Sequence, residues 1–240
     1  MNQVFLIARR ELVAAIRSPL ACVIVAAALL LDGILFYTMA LTERLLSAEA
    51  LAIFLYNSSG IVMTASLFLA MRLIAEERQT STFILLNTAP VRGWQIIAGK
   101  FLSAWAILTV MVVLTVYMPA LLFVNGKVSV GHILVGYLGL LLIGAATVSI
   151  GLFASALTRS QLVAIIVGAA ILAVMILLWM LAKATEPPIN TYLSWLAFHH
   201  ANFRPFQLGR LELQSVAYYL AVTYFFLLGA TKILESRRWR

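Results

Sequence analysis

The chain has 240 residues, of which 63% are hydrophobic and only 11% charged, and its mean hydropathy is +1.02. Soluble domains carry about a quarter charged residues, so this composition excludes a water-soluble protein and predicts that most of the chain lies in lipid. The net charge of +8 does not indicate nucleic-acid binding, because the basic residues cluster at the edges of apolar runs, where they set membrane orientation. Cys22, the single cysteine, excludes a disulfide framework or a cysteine metal site.

Six apolar stretches are long enough to cross a bilayer, for which about 20 residues are needed. In hydrocarbon every backbone polar group must be satisfied within the segment, so we expect helices and an all-α integral membrane fold. The predicted spans are residues 20–41, 52–71, 101–124, 132–156, 162–182 and 215–234. The first is too long for a signal-peptide core and is predicted to stay as an anchor. Residues 1–240 are treated as one membrane domain.

The basic residues predict the orientation of the spans. Six spans place both termini on one side of the membrane, and with a cytoplasmic N-terminus twelve basic residues are cytoplasmic and five external. The cytoplasmic set is Arg9, Arg10, Arg17, Arg72, Arg78, Arg92, Lys100, Arg159, Lys232, Arg237, Arg238 and Arg240. The external set is Arg44, Lys127, Lys183, Arg204 and Arg210. This bias predicts cytoplasmic N- and C-termini.

Residues 1–18 are predicted to form an amphipathic helix in the cytoplasmic interface. Five apolar residues recur on one face at helical spacing, and two arginines fall on the opposite face. The apolar face is Val4, Phe5, Ala8, Leu12 and Ile16, and the arginines are Arg10 and Arg17. The residues assigned to the interfacial role are Phe5, Arg9, Arg10, Leu12 and Arg17. The alternative is a mere positive anchor for the first span.

The largest polar excursion is the cytoplasmic segment 72–100, between the second and third spans. Arg72 and Glu76 are four residues apart and can pair on one helix face. Thr80–Thr82 are capping residues, and Pro90 disfavours helix at the residue before it. A short helix is therefore predicted inside this segment.

An apolar patch, Phe83–Leu86, lies in the middle of this polar segment. Exposed apolar patches usually mark binding sites, and a patch bracketed by charges fits a helix-in-groove contact with a soluble partner. The alternative, that the patch packs against its own bundle, is equally open on these grounds.

The last external segment, residues 183–214, is predicted to contain short helices. Pro187 and Pro188 end the fifth span. Trp195, Phe198, Phe203 and Phe206 then recur with polar residues between them. Such a segment lies at the outer surface or enters it partway.

Asp32 is the one acid well inside a predicted span. Because a buried charge in lipid is costly and often functional, Asp32 is a candidate pathway residue. The alternatives are a paired structural acid and an acid in a wet vestibule.

Small residues spaced four apart recur in the fourth span, at Ala145 and Ser149 and at Gly151 and Ser155. They allow close helix approach, either in packing within the chain, which we favour, or at a dimer seam.

Three motifs, in order along the chain, carry a resemblance to a known family. The first is EER-x₃-T-x₂-LL-x₃-P-x₃-W-x₄-GK, formed by Glu76, Glu77, Arg78, Thr82, Leu85, Leu86, Pro90, Trp94, Gly99 and Lys100. The second is GLFASALTRSQ, residues 151–161, and the third is LESRRW, residues 234–239. The first resembles the loop between the second and third spans of type-2 ABC export permeases, and the second resembles their tight turn between the fourth and fifth spans. The third is similar to the permease subunit of the gliding-motility ABC transporter.

The resemblance implies a permease subunit of an ATP-driven exporter in the bacterial inner membrane. Two permease subunits, identical or different, would form the pathway, and two separate ATPase chains would dock beneath them. By resemblance, the residues that couple to the ATPase are Glu76, Glu77, Arg78, Thr80, Thr82, Phe83, Leu85, Leu86 and Asn87. ATP and Mg would be bound by the ATPase, because this chain has no G-x₄-G-K-[ST] loop, so neither a cofactor nor enzymatic activity is expected of it.

Other classes of membrane protein remain as alternatives. An ion-coupled secondary transporter usually needs several intramembrane ionisable or broken-helix sites, and here only Asp32 stands out. An intramembrane serine protease needs a serine paired with a base inside the bundle, whereas His132, His199 and His200 map to external edges. The adjacent pair His199-His200 also makes a poor metal chelate. A scaffold that recruits a soluble partner stays open, as do a periplasmic partner and the cargo, which in such relatives ranges over lipids, polysaccharides, drugs and peptides, with roles in copper-site assembly and motility.

Overall fold

The computed structural model describes residues 3–41, 46–79, 92–125, 128–186 and 189–236, without the side chains of residues 40, 41, 77, 78 and 123–125. All regular structure in these ranges is helical. The helices are α1 (Gln3–Ile16), α2 (Pro19–Leu35), α3 (Ser47–Gln79), α4 (Gly93–Leu114), α5 (Tyr117–Asn125), α6 (Val130–Leu157), α7 (Gln161–Ala184), α8 (Ile189–Leu196), α9 (His200–Gln207) and α10 (Leu213–Ser236). A π-helical stretch, Phe36–Leu41, extends α2.

Six of these stretches are long and apolar enough to span a membrane, so the prediction of an all-α membrane fold with six spans is confirmed. Spans 1 to 6 are Pro19–Met39, Ser47–Glu76, Gly93–Leu122, Val130–Leu157, Gln161–Ala184 and Leu213–Ser236. Span 2 is longer at both ends than the predicted 52–71. Its helix continues through Arg72 and Glu76 because these two side chains pair with each other and do not interrupt the backbone ladder.

Spans 2 and 4 form the centre of the bundle, whereas spans 1, 5 and 6 are mostly exposed. Helices α3 and α6 approach so closely at Gly151 that a Cβ there would lie 2.6 Å from the Cβ of Ala70. Only glycine fits that distance. Of the small residues of the fourth span, Gly151 and Ser155 therefore serve packing within the chain, as the sequence favoured.

The segment that holds α8 and α9 enters the core. Phe198, Phe203 and Phe206 are fully buried, whereas Trp195 is 55% exposed. The Phe198 N–H donates to the Met175 carbonyl at 3.1 Å. A surface position was one of the two predicted placements, and the buried phenylalanines show that the segment instead fills the space at one end of the bundle.

Helix α1 packs against the first turns of α4. A Cβ at Gly99 would lie 2.8 Å from the Cβ of Ile7 and 3.0 Å from the Val4 carbonyl, so this contact also depends on glycine. Of the predicted apolar face, Val4, Ala8 and Leu12 are half-buried, whereas Phe5 and Ile16 are 60% and 62% exposed. Ile7 and Glu11 lie on the half-buried side as well. An interfacial position of α1 remains a prediction.

Candidate functional site

The candidate site is the end of the bundle from which the predicted coupling segment leaves. Helix α3 ends at Gln79, and α4 begins at Gly93. The C-terminal end of α10 lies beside the start of α4, since a Cβ at Gly93 would lie 3.1 Å from Cγ of Glu235. Of the predicted coupling residues, Glu77 and Arg78 lie in the last turns of α3. The others beyond α3 lie outside the described residues, namely Thr80, Thr82, Phe83, Leu85, Leu86 and Asn87.

Arg72 joins the end of α3 to the start of α2. Its Nε lies 3.0 Å from Oε2 of Glu76, so the predicted pair is confirmed. Its Nη1 donates a 2.7 Å hydrogen bond to the hydroxyl of Ser18, the residue that precedes α2. One guanidinium therefore binds both Glu76, a predicted coupling residue, and the base of span 1.

Ser155 of α6 binds the backbone of α3 one turn before its end. The Ser155 hydroxyl donates to the Met71 carbonyl at 2.8 Å. It also accepts the N–H groups of Ile74 and Ala75 at 3.1 and 3.0 Å. Because one hydroxyl makes three hydrogen bonds to the main chain of α3, it fixes α3 against α6 at this level.

Lys100 and Glu11 join the start of α4 to α1. Lys100 is fully buried, and its Nζ lies 3.3 Å from Oε1 of Glu11. Arg10 is next to the same carboxylate, with Nη2 2.7 Å from Oε1. A buried ammonium is tolerated when a carboxylate compensates it, so this ion pair holds α1 on α4 beside Gly99.

The surroundings of Glu11 decide its charge. Burial raises the pKa of Glu11, but the positive charges of Lys100 and Arg10 together lower it more, so the pKa falls below its ordinary value of 4.5. Glu11 is therefore ionised at neutral pH, which matches its place between two cations.

Asp32, the candidate pathway residue, lies inside the bundle against α3. Its side chain is 2% exposed, and Oδ1 accepts a 2.6 Å hydrogen bond from the hydroxyl of Ser58. Asp32 thus contacts the same helix that ends at the coupling site. A part in transport remains a prediction.

One of the three histidines, His199, differs from its predicted position at an external edge. His199 is buried, and its Nε2 lies 2.6 Å from the hydroxyl of Ser59, so the expectation that no serine meets a histidine inside the bundle is wrong. The Ser59 hydroxyl also lies 2.6 Å from the Tyr56 carbonyl, so its single proton has two acceptors within reach and is not committed to His199.

Burial, followed by the charge of His200, lowers the pKa of His199 to about 4, so His199 is neutral at pH 7. His200 points elsewhere, with its ring 3.8 Å from that of Trp179. Within the described ranges no three His, Cys, Asp or Glu side chains come together to ligate a metal ion.

The fold and the site define a multi-pass α-helical membrane protein in which α1 and the ends of α3, α4 and α10 meet at one end of the bundle. Residues 2–202 match the family model of the ABC-2 type transporter. The chain belongs to the ABC-2 type transporter family and is a permease component of an ABC transporter. This membership does not favour a secondary transporter or a scaffold. No curated protein matches the chain.

Sequence reasoning missed the partners that hold the coupling segment. Lys100 and Ser155 were named only as an orienting basic residue and as a small packing residue, without their partners, and Glu11 was not singled out. One local signal for Glu11 was available, since it follows Val4 and Ile7 along the half-buried stripe of α1. An acid on such a stripe indicates a buried cation across the contact.

Proposed function

We propose that this chain is the membrane-spanning subunit of an ATP-driven exporter, that it works as a dimer, and that ATPase chains contact it through residues 76–87. ATP and Mg are bound by those chains. Closure of the ATPase pair moves the coupling segment, and the segment moves the helices at its two ends between inward- and outward-open arrangements. Such coupling requires that the ATPase make different contacts in the two states.

The observation that carries the proposal is the continuity of α3. Its 33 residues extend about 50 Å, at about 1.5 Å per residue, from the coupling segment through the whole bundle. Near one end it is bound by Ser155 and Arg72, and farther along it contacts Asp32 through Ser58 and His199 through Ser59. A displacement at Gln79 is therefore felt at the buried polar residues.

The proposed membrane is the bacterial inner membrane, with both termini and the coupling segment in the cytoplasm. Helix α1, the end of α3 and the end of α10 lie at the same end of the bundle, which supports a common side. The twelve-to-five distribution of basic residues supports the cytoplasm for that side. A role in gliding motility is proposed from the resemblance of residues 234–239 alone, and the gene's neighbours test it through an adjacent ATPase and a motility partner.

The test of coupling replaces the apolar patch. Phe83→Asp and Leu86→Asp place a charge in the proposed groove contact, and we expect loss of the ATPase, by more than about tenfold, from the purified complex while the permease still inserts in the membrane. Copurification and vanadate-sensitive ATP turnover are the measurements.

The matched control is Leu211→Asp, which places the same charge on a residue 62% exposed at the opposite end of the bundle. It is expected to leave the complex intact. If Phe83→Asp and Leu86→Asp copurify with the ATPase as well as Leu211→Asp does, the apolar patch is not the contact and the proposed coupling is wrong. A requirement for a proton gradient instead of ATP would likewise contradict an ATP-driven exporter.

A further inference from the structure

An apolar groove of about 360 Å³ lies where α1, α2 and α4 meet. Its walls are Ala15 and Ile16 of α1, Cys22 and Ala26 of α2, and Ile107 and Val110 of α4. Along α2 it runs two turns, from Cys22 to Leu29, which is about 10 Å. The alanines leave the space unfilled, and Val110 is 59% exposed, so the groove opens sideways toward lipid.

A cation lies at the end of this groove nearest the coupling site. Arg17 occupies the turn between α1 and α2, directly after Ile16, and is exposed. Among the described residues its guanidinium has no ion-pair partner. The groove therefore combines an apolar slot with a positive charge on the residue that directly follows its wall at Ile16, and no described carboxylate pairs with that charge.

We propose that the groove holds an acyl chain of an anionic phospholipid whose phosphate is bound by Arg17. The bound lipid belongs to the cytoplasmic leaflet. This assignment alone rests on the orientation given in the proposed function. Anionic lipids are concentrated in that leaflet and are attracted by arginines near its surface. A lipid seated here contacts α1, α2 and α4 at once and so holds α1 in place beside Lys100.

The charge next to the groove favours an anionic lipid over an apolar helix from a second copy, because a lipid phosphate compensates Arg17, the residue that follows the groove wall at Ile16. An apolar helix laid over that residue would bury the arginine without a counter-charge, which is costly.

A second groove supplies a matched control. It lies between α2 and α3, has a volume of about 250 Å³, and is lined by Ala27 and Phe68 among others. The basic residue one helical turn beyond Phe68 is Arg72, whose guanidinium already binds Ser18 and Glu76. The two grooves therefore differ in whether a cation is available for a headgroup.

The test uses Cys22, because it lines the groove and is the chain's one cysteine. The full chain is placed in nanodiscs of phosphatidylglycerol or of phosphatidylcholine, and the rate of Cys22 alkylation by a membrane-permeant maleimide is measured. We expect alkylation about fivefold slower in phosphatidylglycerol, the factor that corresponds to the attraction of one arginine near an anionic surface. Arg17→Gln is expected to remove that difference.

Native mass spectrometry of the protein taken from mixed-lipid nanodiscs supplies a second readout. Ala26→Trp fills the groove and is expected to lose the retained phosphatidylglycerol, whereas Ala27→Trp, which fills the second groove, is expected to keep it. Equal alkylation rates of the natural chain in both lipids would overturn the proposal, as would equal retention by the two tryptophan variants. If Ala26→Trp does not fold, the alkylation comparison of the natural chain with Arg17→Gln decides alone.

Oxidative cross-linking identifies the competing occupant. A Cys22–Cys22 bond between two copies would show that a second copy covers the groove, and it would overturn the lipid site. Failure of the proposed function is a separate result, because release of the ATPase is measured with Phe83→Asp and does not depend on Cys22 or Arg17.

Discussion

Among the side chains at the end of the bundle where α4 begins, Lys100 is the costliest to bury, because a fully buried ammonium needs a compensating carboxylate. Glu11 supplies it from α1 at 3.3 Å. We expect Glu11→Gln to lower the free energy of unfolding by about 3 kcal/mol, the usual cost of removing one partner of a buried pair. Thermal unfolding of the detergent-solubilised protein is the measurement. The double variant Glu11→Gln with Lys100→Met should recover most of the loss.

A control and the pH dependence sharpen this prediction. Glu235→Gln removes a carboxylate whose partner Lys232 is 79% exposed, and should change the free energy of unfolding by less than about 0.5 kcal/mol. Because the folded pKa of Glu11 lies below 4.5, its contribution is complete above pH 4.5 and is lost as the pH falls further. The Tm difference between the natural chain and Glu11→Gln should therefore shrink below pH 4.5. An unchanged difference at lower pH would show that the pair does not stabilise the fold.

At the scale of the helices, the approach of α3 to α6 is the contact that the bundle depends on. Valine at Gly151 would bring its Cβ to 2.6 Å from the Cβ of Ala70, and the two helices would have to separate. We expect Gly151→Val to destabilise the protein by about 3 kcal/mol, with a lower Tm and aggregation on size-exclusion chromatography.

The matched control is Gly131→Val in the first turn of the same helix, where an added Cβ meets nothing within 4 Å. That variant should lie within about 0.5 kcal/mol of the natural chain. Equal stability of the two variants would mean that α3 and α6 can repack around the added methyl groups, and that their close approach is not required.

How far the helices could be predicted depended on where the decisive contacts lie. The spans follow from composition, since a run of apolar residues has to cross the membrane as a helix. The end of α3 does not follow from composition, because the helix continues past Arg72. The guanidinium of Arg72 binds Ser18, a residue distant in the sequence. The burial of the Phe203 side chain likewise depends on the space that other helices leave, and not on its own segment. Glu11 and Lys100 meet only in the folded chain, so the stripe of α1 indicates that Glu11 has a buried cation as its partner but not which cation.

For the whole molecule, α3 joins the two halves of the proposed mechanism. At the coupling end it is held by Ser155, and in the membrane its Ser58 hydroxyl binds Asp32. Asp32 itself lies on α2, and its hydrogen bond to α3 places it next to the helix that the proposed mechanism moves, so a displacement of α3 changes its surroundings. This placement fits a pathway residue, yet a structural acid with one hydrogen bond would look the same at rest.

Transport by Asp32→Asn separates these two roles. The amide keeps an oxygen that can accept the Ser58 hydrogen bond, so the bundle and its ATPase complex should assemble normally, while loss of the charge should reduce ATP-driven transport by about tenfold. The control Ser58→Ala removes the hydrogen bond and keeps the carboxylate, and should retain most transport. Proteoliposomes that contain the ATPase, loaded with each candidate cargo, provide the measurement. If Asp32→Asn transports as well as the natural chain and Ser58→Ala does not, transport requires the hydrogen bond and not the charge. Asp32 then has a structural role.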